Sequence, residues 1–152
     1  MELPEDYGLR FTPTLHTHAE GPTDPKNNQL PSNYVVVVTG AGKGLGYHIA
    51  LAYAHAGAKG IAVASRTESD LVKLEKEIQS INPETTVLVQ TCDTTKDEDV
   101  KSLADATKAK FGRLDCAIAN AGIISKYIEG PDGKMRLPVG IVGQPVGTVG
   151  GS

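Results

Sequence analysis

The sequence predicts an α/β protein in three layers, an incomplete parallel sheet of about four strands with helices on both faces. Three observations predict it. Strand-like and helix-like segments alternate from Tyr34 to Gly122, and short connections join them. The first strand is a β-branched run, Val35 to Val38, with no polar alternation, as expected of a strand covered on both sides.

Val35, Val36, Val37 and Val38 lead into Thr39-Gly40 and read as a central parallel strand. The first helix starts in the glycine turn that follows, places Leu45, Ile49, Ala52 and Ala56 on its inward face, and stops at Gly57 as a C-terminal cap. Gly60 to Ser65 is the second strand. Thr67 with Asp70 three residues on has capping-box spacing, Leu71, Leu74, Ile78 and Ile81 recur at helical intervals, and Pro83 ends the run. Thr86 to Thr91 is the third strand. Thr95 with Glu98 repeats the capping spacing, and Val100, Leu103, Thr107 and Phe111 form the inward face of a helix that stops at Gly112. Leu114 to Ala119 is the fourth strand. Parallel strands joined by right-handed crossovers follow from this order, which makes residues 34–125 a Rossmann-like half domain.

The flanks differ. Residues 1–33 carry Pro4, Pro13, Pro22, Pro25 and Pro31 and read as an arm that is extended on the surface or disordered. Residues 126–152 are rich in Gly, Val and Pro, a composition that weakens helix and strand alike, and read as a poorly ordered tail. With 15 basic against 18 acidic residues, the net charge of -3 offers no broad basic face, so no nucleic-acid partner is expected. No run approaches the roughly 18 apolar residues of a membrane span, and the first thirty residues hold acids and prolines where a signal peptide would be basic and apolar. No membrane partner and a cytoplasmic location are therefore expected. Cys92 and Cys116 lack C-x-x-C or metal-ligand spacing and read as small buried apolar residues. His16 and His18 have no third ligand nearby, and no metal site is expected there.

Chemistry concentrates in Thr39-Gly40-Ala41-Gly42-Lys43-Gly44-Leu45-Gly46. Glycines there let the backbone approach a pyrophosphate and adopt positive φ, and the amides that open the next helix face its negative charge. The spacing is G-x-x-x-G-x-G through Gly40, Gly44 and Gly46. With Thr39 in front, it resembles the short-chain dehydrogenase/reductase family. Asp93 after the third strand sits where that family contacts adenine, and Asn120-Ala121-Gly122 looks like its N-A-G element. The resemblance covers about Tyr34 to Gly122 and implies a nicotinamide dinucleotide.

Which dinucleotide is a question of charge at the end of the second strand: a carboxylate suits the ribose hydroxyl of NAD, a cation the phosphate of NADP. That strand ends Ala64-Ser65-Arg66, with no acid before Glu68, and Arg66 can form charge-assisted hydrogen bonds to a 2′-phosphate. NADP is favoured over NAD. The resemblance adds Lys43 as a second cation for that phosphate. The cofactor-binding candidates are Thr39, Gly40, Lys43, Gly44, Leu45, Gly46, Ser65, Arg66, Asp93, Asn120, Ala121 and Gly122.

Family members interconvert carbonyls and alcohols with a Tyr-x-x-x-Lys pair and a serine. Four residues beyond Tyr7, Tyr34, Tyr47, Tyr53 and Tyr127 stand Phe11, Val38, Leu51, Gly57 and Pro131, and none is lysine. Ser125 and Tyr127 read as loop residues, because Gly130-Pro131 argues against a long helix there. No catalytic residue is assigned. Only 30 residues follow Gly122 in a chain of 152, so the expectation is a cofactor half without its substrate half, as a premature stop or unspliced segment would produce. Three functional readings result: an NADP-dependent oxidoreductase by lineage whose carbonyl or alcohol substrate needs the rest of the fold; a non-catalytic NADP-binding module, forming homo- or hetero-oligomers with full-length relatives; and an inactive truncated product.

Overall fold

The computed structural model describes residues 18–123, together with the backbone of two short strands at 128–129 and 135–136. Strands Val35–Thr39 (β1), Gly60–Ser65 (β2), Thr86–Thr91 (β3) and Cys116–Ile118 (β4) form one parallel sheet in the order β3-β2-β1-β4. Helices Gly44–His55 (α1), Glu68–Ile81 (α2) and Asp97–Phe111 (α3) link them in sequence. This is the Rossmann-like α/β arrangement that the alternation implied. The chain divides into two compact units, 1–121 and 122–152, and the sheet lies in the first.

Strand periodicity sorts the core into two halves. Val36 and Val38 of β1 with Ile61 and Val63 of β2 point to one side, where Ala50 and Ala54 of α1 and Leu71, Leu74 and Ile78 of α2 cover them. Val37, Ala62 and Ala64 point to the other, where Leu103 of α3 closes over them with Cys92, and Phe111 packs alongside. The side carrying two helices has branched strand residues; the side carrying one has mostly alanine. Fully burying one of the larger side chains stabilises the fold by about 1.5–3 kcal/mol.

Several local expectations need correction. In α1 the buried stripe is Gly46, Ala50 and Ala54, whereas Leu45 is 71% exposed. The segment is apolar on nearly every side, so periodicity alone offers several stripes; the smallest one wins because it lets the helix seat closest to the sheet. Neither capping box forms. Thr67 occupies the N-cap of α2 without a side-chain capping bond, and its N–H donates to Ser65 Oγ at 3.3 Å. The N-cap of α3 is Lys96, because Thr95 is turned back by donating its N–H and hydroxyl to Asp93 Oδ1 at 3.1 and 2.8 Å. Val100 lies 43% exposed, leaving Leu103 and Thr107 as the buried residues of α3.

β4 is shorter than Leu114 to Ala119. Asp115 accepts the Val35 N–H at 2.8 Å and also pairs with Arg113, which locks the entry to the strand. At the exit the Asn120 N–H turns back to the Ile118 carbonyl at 2.9 Å. Cys92 is buried as expected, but Cys116 is only half-buried, with its sulfur 3.6 Å from the Tyr53 hydroxyl. Burial first, and that sulfur second, push the Tyr53 hydroxyl up to about 12.

The described part of the N-terminal arm carries more structure than an extended segment. Gly21–Thr23 and Pro25–Asn27 form 3-10 turns, and Leu30 packs on the core while its N–H donates to the Ala56 carbonyl at 2.8 Å. Residues 1–17, including His16, lie outside the described residues. In the second unit, Ile128–Glu129 (β5) pairs antiparallel with Met135–Arg136 (β6), a pairing too short for alternation to mark. The rest of the expected tail lies outside the described residues.

Candidate functional site

The glycine turn leaves β1 at Thr39 and enters α1 at Gly44. Its glycines are required for different reasons. At Gly46 a Cβ would stand 2.5 Å from the Gly40 carbonyl oxygen and closer still to Asn120 Nδ2, so a side chain there collides with the protein itself. Gly44 is the opposite case: φ is +60°, and among the described residues a Cβ would meet no packed neighbour within 4 Å. Its backbone conformation disfavours a side chain, yet the space outside it is open. Leu45 stands exposed beside it, at the head of α1.

Asn120, beyond β4, holds the turn from behind. Its Nδ2 donates to the carbonyls of Thr39 at 3.1 Å and Gly40 at 3.4 Å. The Thr39 hydroxyl donates to the Ile118 carbonyl at 3.2 Å and accepts the Ala121 N–H at 3.2 Å. Four of the residues singled out from sequence, Thr39, Gly40, Asn120 and Ala121, thus form one hydrogen-bonded cluster, with Gly46 packed against it. Gly122 belongs to the second unit.

A second cluster joins the turn to the end of β2. The Ala41 N–H donates to the Ala64 carbonyl at 3.1 Å, and a Cβ on Gly42 would lie 2.9 Å from Ser65 Oγ and 3.4 Å from Asp70 Cβ. Lys43 Nζ lies 3.3 Å from Asp70 Oδ2. Arg66 is exposed on the same corner. Asp70 was legible in sequence only as a helix cap; its contact with Lys43 is tertiary and carries no local signal.

At the end of β3 the Cys92 N–H donates to the Ser65 carbonyl at 2.9 Å, which brings the neighbouring Asp93 toward the β2 corner. The Thr95 hydroxyl, and after it the Thr95 backbone, hold the Asp93 carboxyl below the usual carboxylate range. Asp93 is therefore an anion that already has local partners. Among the described residues, no three His, Cys, Asp or Glu side chains gather as metal ligands, and no helix is long and apolar enough to cross a membrane.

Parallel strands with a glycine turn at the C-terminal end of the first define an α/β protein of the dinucleotide-binding type in architecture. The family model described as short chain dehydrogenase matches residues 34–136, and the chain belongs to that family. The short chain dehydrogenase pgmD of Aspergillus terreus is 40% identical over 144 residues, covering 90% of this chain and 44% of its own length. The chain thus spans less than half the length of this curated relative. A short-chain dehydrogenase/reductase from Mycobacterium marinum superimposes with a TM-score of 0.58 at 37% identity, over 62% of this chain and 37% of its own. The NADPH-bound structure of a short chain oxidoreductase from Pseudomonas aeruginosa superimposes with a TM-score of 0.61 at 26% identity, over 66% of this chain and 38% of its own.

Proposed function

We propose that this chain holds NADP, in preference to NAD, as the cofactor half of a short-chain dehydrogenase/reductase that interconverts a carbonyl and an alcohol. The open space at Gly44 carries the reading. A turn whose glycine has positive φ and, among the described residues, no packed neighbour within 4 Å of where its Cβ would stand, at the head of a 12-residue helix, fits a diphosphate lying against backbone amides. The NADPH-bound relative of the same fold supports it.

Each group has a role on this reading. Gly44, Leu45 and Gly46 present amides to the diphosphate, and the α1 dipole favours its charge. Ser65 and Arg66 face the adenosine ribose, with the guanidinium and Lys43 answering a 2′-phosphate. Asp93 lies toward the adenine. Thr39, Asn120 and Ala121 keep the turn in shape from behind. Bound NADP supplies a hydride donor or acceptor, and the carbonyl or alcohol partner belongs to the longer fold.

A second reading, binding without turnover by these 152 residues, is favoured by one sequence fact: no tyrosine here has a lysine four residues on. The chain has no tryptophan, so the emission of NADPH itself serves as the signal in a titration. Arg66→Ala is expected to weaken NADPH about tenfold relative to NADH, equivalent to about 1.4 kcal/mol, and Gly44→Val to abolish both. Equal weakening of the two by Arg66→Ala refutes the phosphate assignment. Turnover with ketones and alcohols, measured on the same samples, separates enzyme from binding module.

A further inference from the structure

The Lys43–Asp70 pair is asymmetric: the lysine side chain is 82% exposed and the aspartate side chain 17%. Asp70 stands in the first turn of α2, and its Cβ would lie 3.4 Å from a Cβ placed on Gly42. Lys43 is the solvent-facing partner, carried by the turn. An exposed cation, Arg66, directly follows Ser65, whose Oγ would lie 2.9 Å from a Cβ placed on Gly42.

We propose that Asp70 is a specificity-determining residue that moderates the choice between a 2′-phosphate and a 2′-hydroxyl. The inference rests on the dinucleotide reading above. A phosphate arriving at this corner must share the Lys43 ammonium with the Asp70 carboxylate, and it feels the carboxylate's repulsion as well. A ribose hydroxyl carries no charge and is far less sensitive to either. Asp70 thus keeps Lys43 close to the corner while cancelling much of its pull, which leaves Arg66 as the dominant cation. Exposed pairs of this kind shift an equilibrium by about threefold, and salt near 1 M, with a screening length of about 3 Å, suppresses the effect.

The test uses the full 152-residue chain, with NADPH and NADH as probes. Asp70→Asn is expected to raise the preference for NADPH over NADH about threefold in low salt. The gain should vanish near 1 M salt and in a Lys43→Gln background. A preference that stays flat or falls in Asp70→Asn, or that rises equally without Lys43, overturns the proposal. Should Asp70→Asn fail to fold, Lys43→Gln alone decides: it should lower the preference less than Arg66→Ala, and an equal or larger loss overturns the proposal. A wild-type chain that is folded and binds neither dinucleotide defeats the reading beneath and the inference with it; wild-type binding with a flat Asp70→Asn response defeats the inference alone.

Discussion

Replacing Gly46 by alanine should destabilise the protein far more than the same change at Gly44, although both glycines belong to one turn. At Gly46 the new methyl would meet the Gly40 carbonyl and the Asn120 amide, and the carbonyl is backbone that cannot swing aside. Overpacking of that kind costs about 1–3 kcal/mol. Displacing Asn120 also forfeits its bond to the Thr39 carbonyl, about 1 kcal/mol more. At Gly44 the methyl meets no packed neighbour among the described residues, so the cost is the positive φ, about 1 kcal/mol. With a urea dependence of about 2 kcal/mol per molar, Gly46→Ala should lower the unfolding midpoint by about 1.5 M, and Gly44→Ala by about a third of that. Urea titrations followed by far-UV circular dichroism measure both. A Gly46→Ala midpoint equal to the wild type, or a Gly44→Ala midpoint as low as that of Gly46→Ala, refutes the reasoning.

Two further predictions concern polar groups. The Arg113 side chain, and then the Val35 N–H, hold the Asp115 carboxyl below its ordinary range. A lowered folded value adds stability that is present above the unfolded value of about 4 and is lost as pH falls through the folded one. The gap between wild-type and Asp115→Asn urea midpoints should therefore narrow as pH drops below about 4, and a constant gap would count against it. Asn120→Asp places a carboxylate against the Thr39 and Gly40 carbonyls that now accept from Nδ2, and should cost about 1–3 kcal/mol at neutral pH, measured by thermal unfolding.

Much of the fold was readable in the residues, and the failures share a cause. β1, β2 and β3 follow from continuous apolar or β-branched runs between turn residues, and α2 from Leu71, Leu74 and Ile78, whose spacing admits a single buried stripe. The stripe of α1 was not readable because GLGYHIALAYAH is apolar almost all round, and the deciding term is how close Gly46 and Ala50 let the helix approach. The capping boxes failed where Ser65 Oγ takes the Thr67 N–H and Asp93 takes the Thr95 hydroxyl. In the site, the glycine turn and Asn120 announce themselves through short-range motifs. The pairing of Lys43 with Asp70 depends on how α2 packs against the turn, which no window of sequence contains.

The register between β1 and β2 has an evolutionary corollary. Thr39 pairs with Ala64, and the ladder continues one step further through the Ala41 N–H, so the glycine turn and the residues from Ser65 onward are anchored to a common backbone frame. Side chains after that anchor project from a corner whose position is already set. On the proposed reading, a descendant could trade one dinucleotide for another by rewriting Arg66 and its neighbours while leaving the sheet untouched. Inserting a residue into either strand end would instead shift the frame and forfeit both ligands together.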